Sequence, residues 1–472
     1  MSEDVVIIGA GPAGLAAAYE MRDEPRCVTV LERDVVVGGL ARTEQYKGFR
    51  CDIGGHRFFT KSGYVDSLWR EVLGSDFLRR PRMSRIYYGG KFYSYPLKVS
   101  NVLWNLGLLR SAAVCASLLA AKLKFRKSDD TFEDWVSNRF GRKLYETFFR
   151  TYTEKIWGMS CRQLSSDWAA QRIRNLSAAK AILNALGLKR KRSVASLIEK
   201  FDYPALGPGQ MYERMASLAV KNGAEILLSR KAARILTSDD LARTVVSEGA
   251  DGEMEHSCVG GCFSSMPLDE LVMSLSPPPP PEVLASAGKL SYRSIVTVNL
   301  MLDQPYVAPD TWIYIHDKNI RAGRMQLYKN WSPQMVPDPS KSVIGMEYFC
   351  TVGDQLWRMD DRELTAMAVE DLKTIGLVGT DSVFDSFTAR YPKAYPVYRT
   401  NQYKQHLQRI RKYLATIKNL YPIGRYGQFR YNNMDHSILT AHYSVMRMKG
   451  ENVDPWSVNV EQEHIEEVGA RR

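Results

Sequence analysis

"DVVIIGAGPAGLAAAYEMRDEPRCVTVLERD" (residues 4–34) is the stretch whose reading decides the fold. Its opening run, "DVVIIG", is apolar and β-branched, as a strand covered on both faces of a parallel sheet must be. Gly9, Gly11 and Gly14 then set GxGxxG at a strand-to-helix turn. The first glycine permits the tight turn, the second lets a pyrophosphate approach the backbone, and the third lets helix and strand pack closely. "AGLAAAYEM" reads as the helix that follows, with its N-terminal N–H groups and dipole facing the phosphates. "CVTVLE" reads as a second strand ending in Glu32, an acid placed to accept hydrogen bonds from a ribose and unsuited to a 2′-phosphate.

Two further stretches favour FAD over NAD. "GGLARTEQYKGFRCDIGGHRFF" (38–59) follows the second strand directly and resembles the second flavin-contact motif of the amine oxidase and glutathione reductase-like group. "YPIGRYGQFRYNNMDHSILTAHYSVM" (421–446) reads as strand, polar turn and helix. Such a late turn would bring backbone N–H groups to the flavin pyrimidine, where reduced flavin carries negative charge. Gly39, Arg42, Gly55, Arg425, Asn433 and Met434 therefore join Gly9, Gly11, Gly14 and Glu32 as candidate cofactor contacts.

At 472 residues the chain holds two or three domains. The net charge of +12 suits nucleic acid, an anionic membrane or a phosphorylated substrate. No nucleic-acid-binding module is present in the sequence, which sets the first aside. Seven cysteines without framework spacing, and a first strand starting at residue 4, lead us to expect a cytoplasmic chain without a signal peptide. Cys258 and Cys262 have no histidine cluster nearby, so no metal is expected. "LKRKR" (188–192) is the densest basic cluster. "VLWNLGLLRSAAVCASLLAAKLKFRK" (102–127) is the most apolar stretch, but Arg110 leaves too few apolar positions to span a bilayer. A buried helix is the first expectation there and a peripheral membrane contact the second.

The periodicities suggest an α/β fold. We expect a Rossmann-like FAD domain of the glutathione reductase type, assembled from 1–62, 203–285 and 400–449. A helical domain with a mobile basic loop would be inserted at 100–202. An antiparallel substrate sheet would come from 63–99 and 286–399, and a polar tail from 450–472. "RIYYGG" and "KFYSYP" read as a hairpin joined at the glycines. "TFEDW" opens a helix with a Thr-x-x-Asp cap. "SPPPPPEV" (276–283) reads as a stiff polyproline crossing.

Five other stretches resemble the UDP-galactopyranose mutase family, within the broader amine oxidase and protoporphyrinogen oxidase-like group. "YTEKIWGMSCRQLSSDWAAQRI" (152–173) is similar to the mutase signature YTEKxWG followed by an arginine, which implies Tyr152, Trp157 and Arg172 at a nucleotide-sugar site. The resemblance of "LSYRSI" implies a diphosphate contact for Arg293, that of "GMEY" one for Tyr348, and "KAYPVY" brings in Tyr395. "GGHRFFT" resembles the histidine loop beside the flavin and gives His56. "FDYP" offers Tyr203 as a loop tyrosine, and Lys329 in "LYKNW" matches the lysine near flavin N5 in many amine oxidases. Phe59 stands where the mutases carry a second histidine, and Asn432–Asn433 where they carry a tyrosine and an aspartate. An amide at Asn432 can partly replace a lost hydroxyl donor.

The activity that this resemblance implies is pyranose–furanose isomerisation of a nucleoside-diphosphate sugar, UDP-linked in the first reading. It implies attack of reduced flavin N5 on the anomeric carbon with no net redox, catalysis resting on Arg293, Arg172 and His56, and NAD(P)H as a candidate reductant. The alternative is an FAD-dependent oxidase or dehydrogenase of the same group. A homo-oligomer stays open.

Overall fold

The computed structural model describes residues 4–24, 26–95, 99–123, 128–173, 200–399 and 402–459. A five-stranded, all-parallel sheet runs in the order Leu420–Pro422, Gly261–Ser264, Val5–Ile8, Val28–Leu31, Glu225–Leu227. Val5–Ile8 lies at its centre and is buried along its whole length. The helix Pro12–Glu20 follows, with proline in its first turn, where a missing N–H costs nothing. Its alanines let it sit between the helices Gly209–Lys221 and Met434–Met448. The chain therefore returns from far along its length to complete the layer around the first turn.

A second sheet of seven strands runs in the order Val383–Pro396, Tyr292–Leu302, Ser342–Cys350, Arg324–Leu327, Trp312–Ile315, Ser84–Tyr88, Lys91–Ser94. It is antiparallel except at one joint, where Trp312–Ile315 and Ser84–Tyr88 run parallel. That joint corrects the purely antiparallel expectation: the two segments meet by a long crossover, not a hairpin. Tyr292–Leu302 and Ser342–Cys350 are buried at every position, since helix Asp361–Ile375 covers one face and the cavity side the other. The GG hairpin forms, with Gly89 and Gly90 at φ +57° and +74°, the left-handed pair such a two-residue turn requires. A four-stranded sheet (Gly252–Ser257, Leu241–Gly249, Lys231–Ser238, Leu275–Ser276) stands beside the parallel one.

Two further expectations are corrected, and the start of the tail is placed. The proline run does not stay extended: Pro281 opens helix Pro281–Ala287. The tail docks at its start, because Arg430 donates to the carbonyls of Trp456 and Val458 and Gln428 to that of Pro455. The apolar stretch from 102 is not a buried helix. It is two helices, Val99–Leu106 and Leu108–Leu123, parted at Gly107 (φ +78°), with much of their apolar surface in solvent. The Thr131 cap on Phe132–Phe140 forms as expected, the hydroxyl accepting from Asp134 N–H. The basic cluster 188–192 lies outside the described residues.

Candidate functional site

A cavity of about 420 Å3 runs from the first glycine turn to the seven-stranded sheet. Its near end is built by Gly9, Gly11, Glu32, Gly39 and Arg42. Gly9, Gly14 and Gly39 are required by sterics or backbone conformation. A Cβ on Gly14 would lie 1.8 Å from Gly9 O, and one on Gly39 would lie 3.2 Å from the Gly11 Cα. Gly9 itself sits at φ +97°. The buried Glu32 carboxylate accepts the Ala10 N–H (2.7 Å) and the Asp34 N–H (2.9 Å), which pins it at the end of the second strand; burial raises its pKa. Arg42 pairs with Asp34 (2.6 Å) and Glu44 (2.7 Å). These residues fit a dinucleotide: open backbone where a pyrophosphate must come close, and an acid where a ribose would be.

Gly55, His56, Arg425, Asn432, Asn433 and Met434 line the middle. Burial, then Arg425 and Arg324, push His56 down to about 3, so its imidazole is neutral. Arg425 donates to the carbonyls of Asn432 (2.8 Å) and Ala394 (3.3 Å) and lies over the Tyr431 ring. Asn433 caps helix Met434–Met448, its N–H donating to His436 Nδ1 at 3.3 Å. Asn432 Oδ1 accepts from Asn459 (3.1 Å).

At the far end the strand register does the placing. Tyr314 pairs with Arg324, and Arg324 with Glu347, as direct cross-strand neighbours on one face. Trp312 and Gln326 form the next row of that face. Arg324 grips Glu347 through Nε (2.7 Å) and Nη2 (2.6 Å), while Nη2 also donates to the Tyr395 hydroxyl at 2.9 Å. Gln326 donates to the other Glu347 oxygen. Tyr395 stacks on Tyr431 at 5.7 Å, and Arg57 lies over Trp312 at 5.2 Å.

Several expected residues do not reach the cavity. Tyr348 follows Glu347, so the pleat turns it to the opposite face, where its hydroxyl donates to Asp371 (3.1 Å). Arg293 is buried behind the site, with its guanidinium donating to Ile156 O (3.0 Å), Phe349 O (2.8 Å) and Thr351 Oγ1 (2.6 Å). It occupies the space beside Gly158, where a Cβ would lie 2.6 Å from Arg293 Nη1. The glycine of YTEKIWG thus makes room for Arg293. Lys329 donates to the carbonyls of Pro305, Pro339 and Lys341, away from the flavin end. Tyr203 is on strand Lys200–Pro204, paired with Phe77–Pro81, and its buried hydroxyl donates to Asp52. Arg172 lies in helix Ser166–Ile173, but its side chain is outside the described residues.

Tyr152 and Trp157 stand just behind the wall. Tyr152 stacks on His316 (4.4 Å) beside the cavity-lining Tyr314, and Trp157 packs edge-on against Trp168 (4.7 Å) and Tyr395 (6.4 Å). Between them Lys155 donates to four carbonyls, those of Ile315, Asp317, Ile320 and Ala322, at 2.8–3.0 Å. Burial lowers its pKa to about 8. The motif's lysine therefore clamps this helix to the turn between strands Trp312–Ile315 and Arg324–Leu327. Sequence reading missed Arg57, Trp312, Tyr314, Arg324 and Tyr431. Tyr431 was one residue from the Asn432–Asn433 pair, and the alternation of "RMQL" was the signal for Arg324 and Gln326.

A probable UDP-galactopyranose mutase of Klebsiella pneumoniae is 26% identical over 174 residues, 34% of this chain and 43% of that protein. A putative flavin-containing monoamine oxidase AofH of Mycobacterium tuberculosis is 24% identical over 291 residues, 59% of this chain and 60% of the relative. The chain thus matches less than two thirds of the length of either relative. Among solved structures, reduced UDP-galactopyranose mutase superposes with a TM-score of 0.85 at 19% identity, covering 98% of this chain and 99% of that one. A putative protoporphyrinogen oxidase from Exiguobacterium superposes at 0.72 and 18% identity, covering 96% and 100%. These likenesses establish a mixed α/β fold with several sheets, of the flavin amine oxidase and UDP-galactopyranose mutase type. The family model for flavin-containing amine oxidoreductases matches residues 12–448, and the chain belongs to that family.

Proposed function

We propose that the chain is an FAD-dependent mutase that interconverts the pyranose and furanose rings of a nucleoside-diphosphate sugar, UDP-linked in the first instance. The observation that carries this reading is the charge of the cavity's far end. Arg57 and Arg324 face it among Trp312, Tyr314 and Tyr395. The nearby carboxylate, Glu347, is fully buried and spent on Arg324 and Gln326. An anionic diphosphate beside sugar and base rings satisfies both features. A cationic amine would meet two guanidiniums, and Lys329 is held elsewhere by backbone carbonyls.

FAD would be held by Gly9, Gly11, Glu32, Gly39 and Arg42 at its nucleotide end and by Arg425, Asn433 and Met434 at its ring end. When bound it supplies a ring that is redox-active and, when reduced, nucleophilic. The chain's own residues do the rest. Arg324, pre-oriented by Glu347, stabilises the charge on a departing diphosphate without reorganising. Arg57 adds a second cation. Tyr314, Trp312 and Tyr395 orient the sugar and exclude water. His56, neutral, can donate or accept a hydrogen bond without adding charge. Arg293 is a positioning residue, joining the YTEKIWG helix to the sheet.

The test is anaerobic incubation of dithionite-reduced and oxidised protein with UDP-, GDP- and dTDP-sugars, read by chromatography. The expected result is an isomer of unchanged mass formed only by the reduced protein. Consumption of a donor by the oxidised protein, with no isomer, overturns the proposal in favour of an oxidase. That second reading draws on the apolar surface of Ile53, Phe59 and Ile295 in the same cavity.

A further inference from the structure

The helical hairpin Val99–Leu123 is apolar on its outward face as well as its inward one. Trp104 and Leu109 are each 89% exposed, Leu119 61% and Leu123 87%. In Leu108–Leu123 the exposed apolar positions are Leu109, Ala112, Ala113, Ala116, Leu119, Ala120 and Leu123, a continuous stripe at helical spacing flanked by Arg110 and Lys122. Ser111, a polar residue, is buried. The solvent side is therefore apolar, as is the inward side, where Val102 and Leu118 are buried. Singly scattered apolar residues need no explanation, but a stripe of this kind marks a contact surface.

The stripe cannot cross a bilayer. Leu108–Leu123 has 16 residues, about 24 Å of helix against a hydrocarbon core of about 30 Å. Gly107 breaks it from the preceding helix, and no helix among the described residues is long and apolar enough to span. It can lie on one.

Charge identifies the occupant. From Phe77 to Ser128 the sequence contains eleven Lys and Arg and no Asp or Glu, so the segment that carries the hairpin has no acidic residue of its own. Arg110 and Lys122 are exposed on the hairpin itself. Glu133, Glu146 and Asp129 nearby are already ion-paired, Glu133 with Arg142 and Arg162, Glu146 with Arg142 and Lys143, Asp129 with Arg139. A second copy of the chain would bring two like-charged faces together. We propose that the hairpin docks on the surface of an anionic lipid bilayer. Trp104, Leu109, Leu119 and Leu123 enter the headgroup–acyl boundary, and Arg110 and Lys122 meet lipid phosphates. This contact is independent of the reaction assigned to the cavity.

The experiment is co-sedimentation of the full chain with phosphatidylcholine vesicles, with and without phosphatidylglycerol. Binding should require phosphatidylglycerol and weaken as salt is raised. The neutral double variant Leu109→Asn/Leu123→Asn should reduce the bound fraction about tenfold or more. Arg110→Gln/Lys122→Gln should remove the preference for anionic vesicles. Flavin content and far-ultraviolet dichroism of each variant verify the fold, which changes at such exposed positions should leave intact. Absence of sedimentation with anionic vesicles overturns the proposal. So does undiminished sedimentation of both double variants. A dimer in gel filtration that the Asn variant dissolves, without vesicle binding, would assign the face to a second copy instead.

Discussion

Replacing Arg324 by Met should separate the two tasks the arginine performs. Glu347 is fully buried, with one oxygen held by Arg324 Nε and Nη2 and the other by Gln326. Removing the guanidinium leaves a buried carboxylate with one amide partner. Breaking a buried pair on one side costs about 3–5 kcal/mol, and this site falls in that range because Glu347 is fully buried with Gln326 as its remaining side-chain partner. In Arg324→Met/Glu347→Gln no charge is buried, so the deficit should shrink to about 1–2 kcal/mol. Substrate recognition should not recover with it. A lost charged hydrogen bond to phosphate is worth about 1.5–3 kcal/mol, so both variants should bind UDP about tenfold to a hundredfold more weakly. The assays are urea midpoints at saturating flavin and UDP titration calorimetry. A single variant that loses less than about 1 kcal/mol would refute the buried-pair argument. A double variant with parental UDP affinity would refute the role of Arg324 in binding.

Three other outcomes follow from the same geometry. Arg293→Ala should lower the denaturation midpoint, because three hydrogen bonds tie that side chain to Ile156, Phe349 and Thr351, while leaving UDP affinity of the folded protein within about twofold; a selective loss of affinity would put Arg293 back in the cavity. Gly14→Ala should purify colourless, since its Cβ would sit 1.8 Å from Gly9 O, and retained flavin absorbance would count against the glycine turn. Burial pushes Asp52 up to about 7 against bonds from Tyr203 and Thr43. A folded-state pKa above the unfolded value contributes stability that is full below about pH 4 and lost as pH rises through 7. Asp52→Asn lacks that titration, so its stability relative to the parent should climb across this interval by up to about 4 kcal/mol. Equal slopes in midpoints measured at pH 4 to 8 would show that Asp52 does not titrate there.

The sequence by itself determined the parts of this protein whose physics is local. GxGxxG, the β-branched strand before it and the acid after it lie within one continuous segment. Their roles depend on backbone conformation and helix termini that neighbouring residues set. The GG hairpin and the Thr131 cap were legible for the same reason. YTEKIWG was legible as a motif, but the purpose of its residues was not. Lys155 faces carbonyls from 315–322 and Gly158 faces Arg293, partners more than a hundred residues away. Only the tertiary structure decided the substrate end. There, strand register and the two-residue pleat put Arg324 opposite Glu347 on the cavity face and sent Tyr348, the very next residue, to the other side. A one-residue change of register would exchange them. The outward face of the helical hairpin was likewise open in the sequence, because a helix apolar on both faces does not state which side meets the protein.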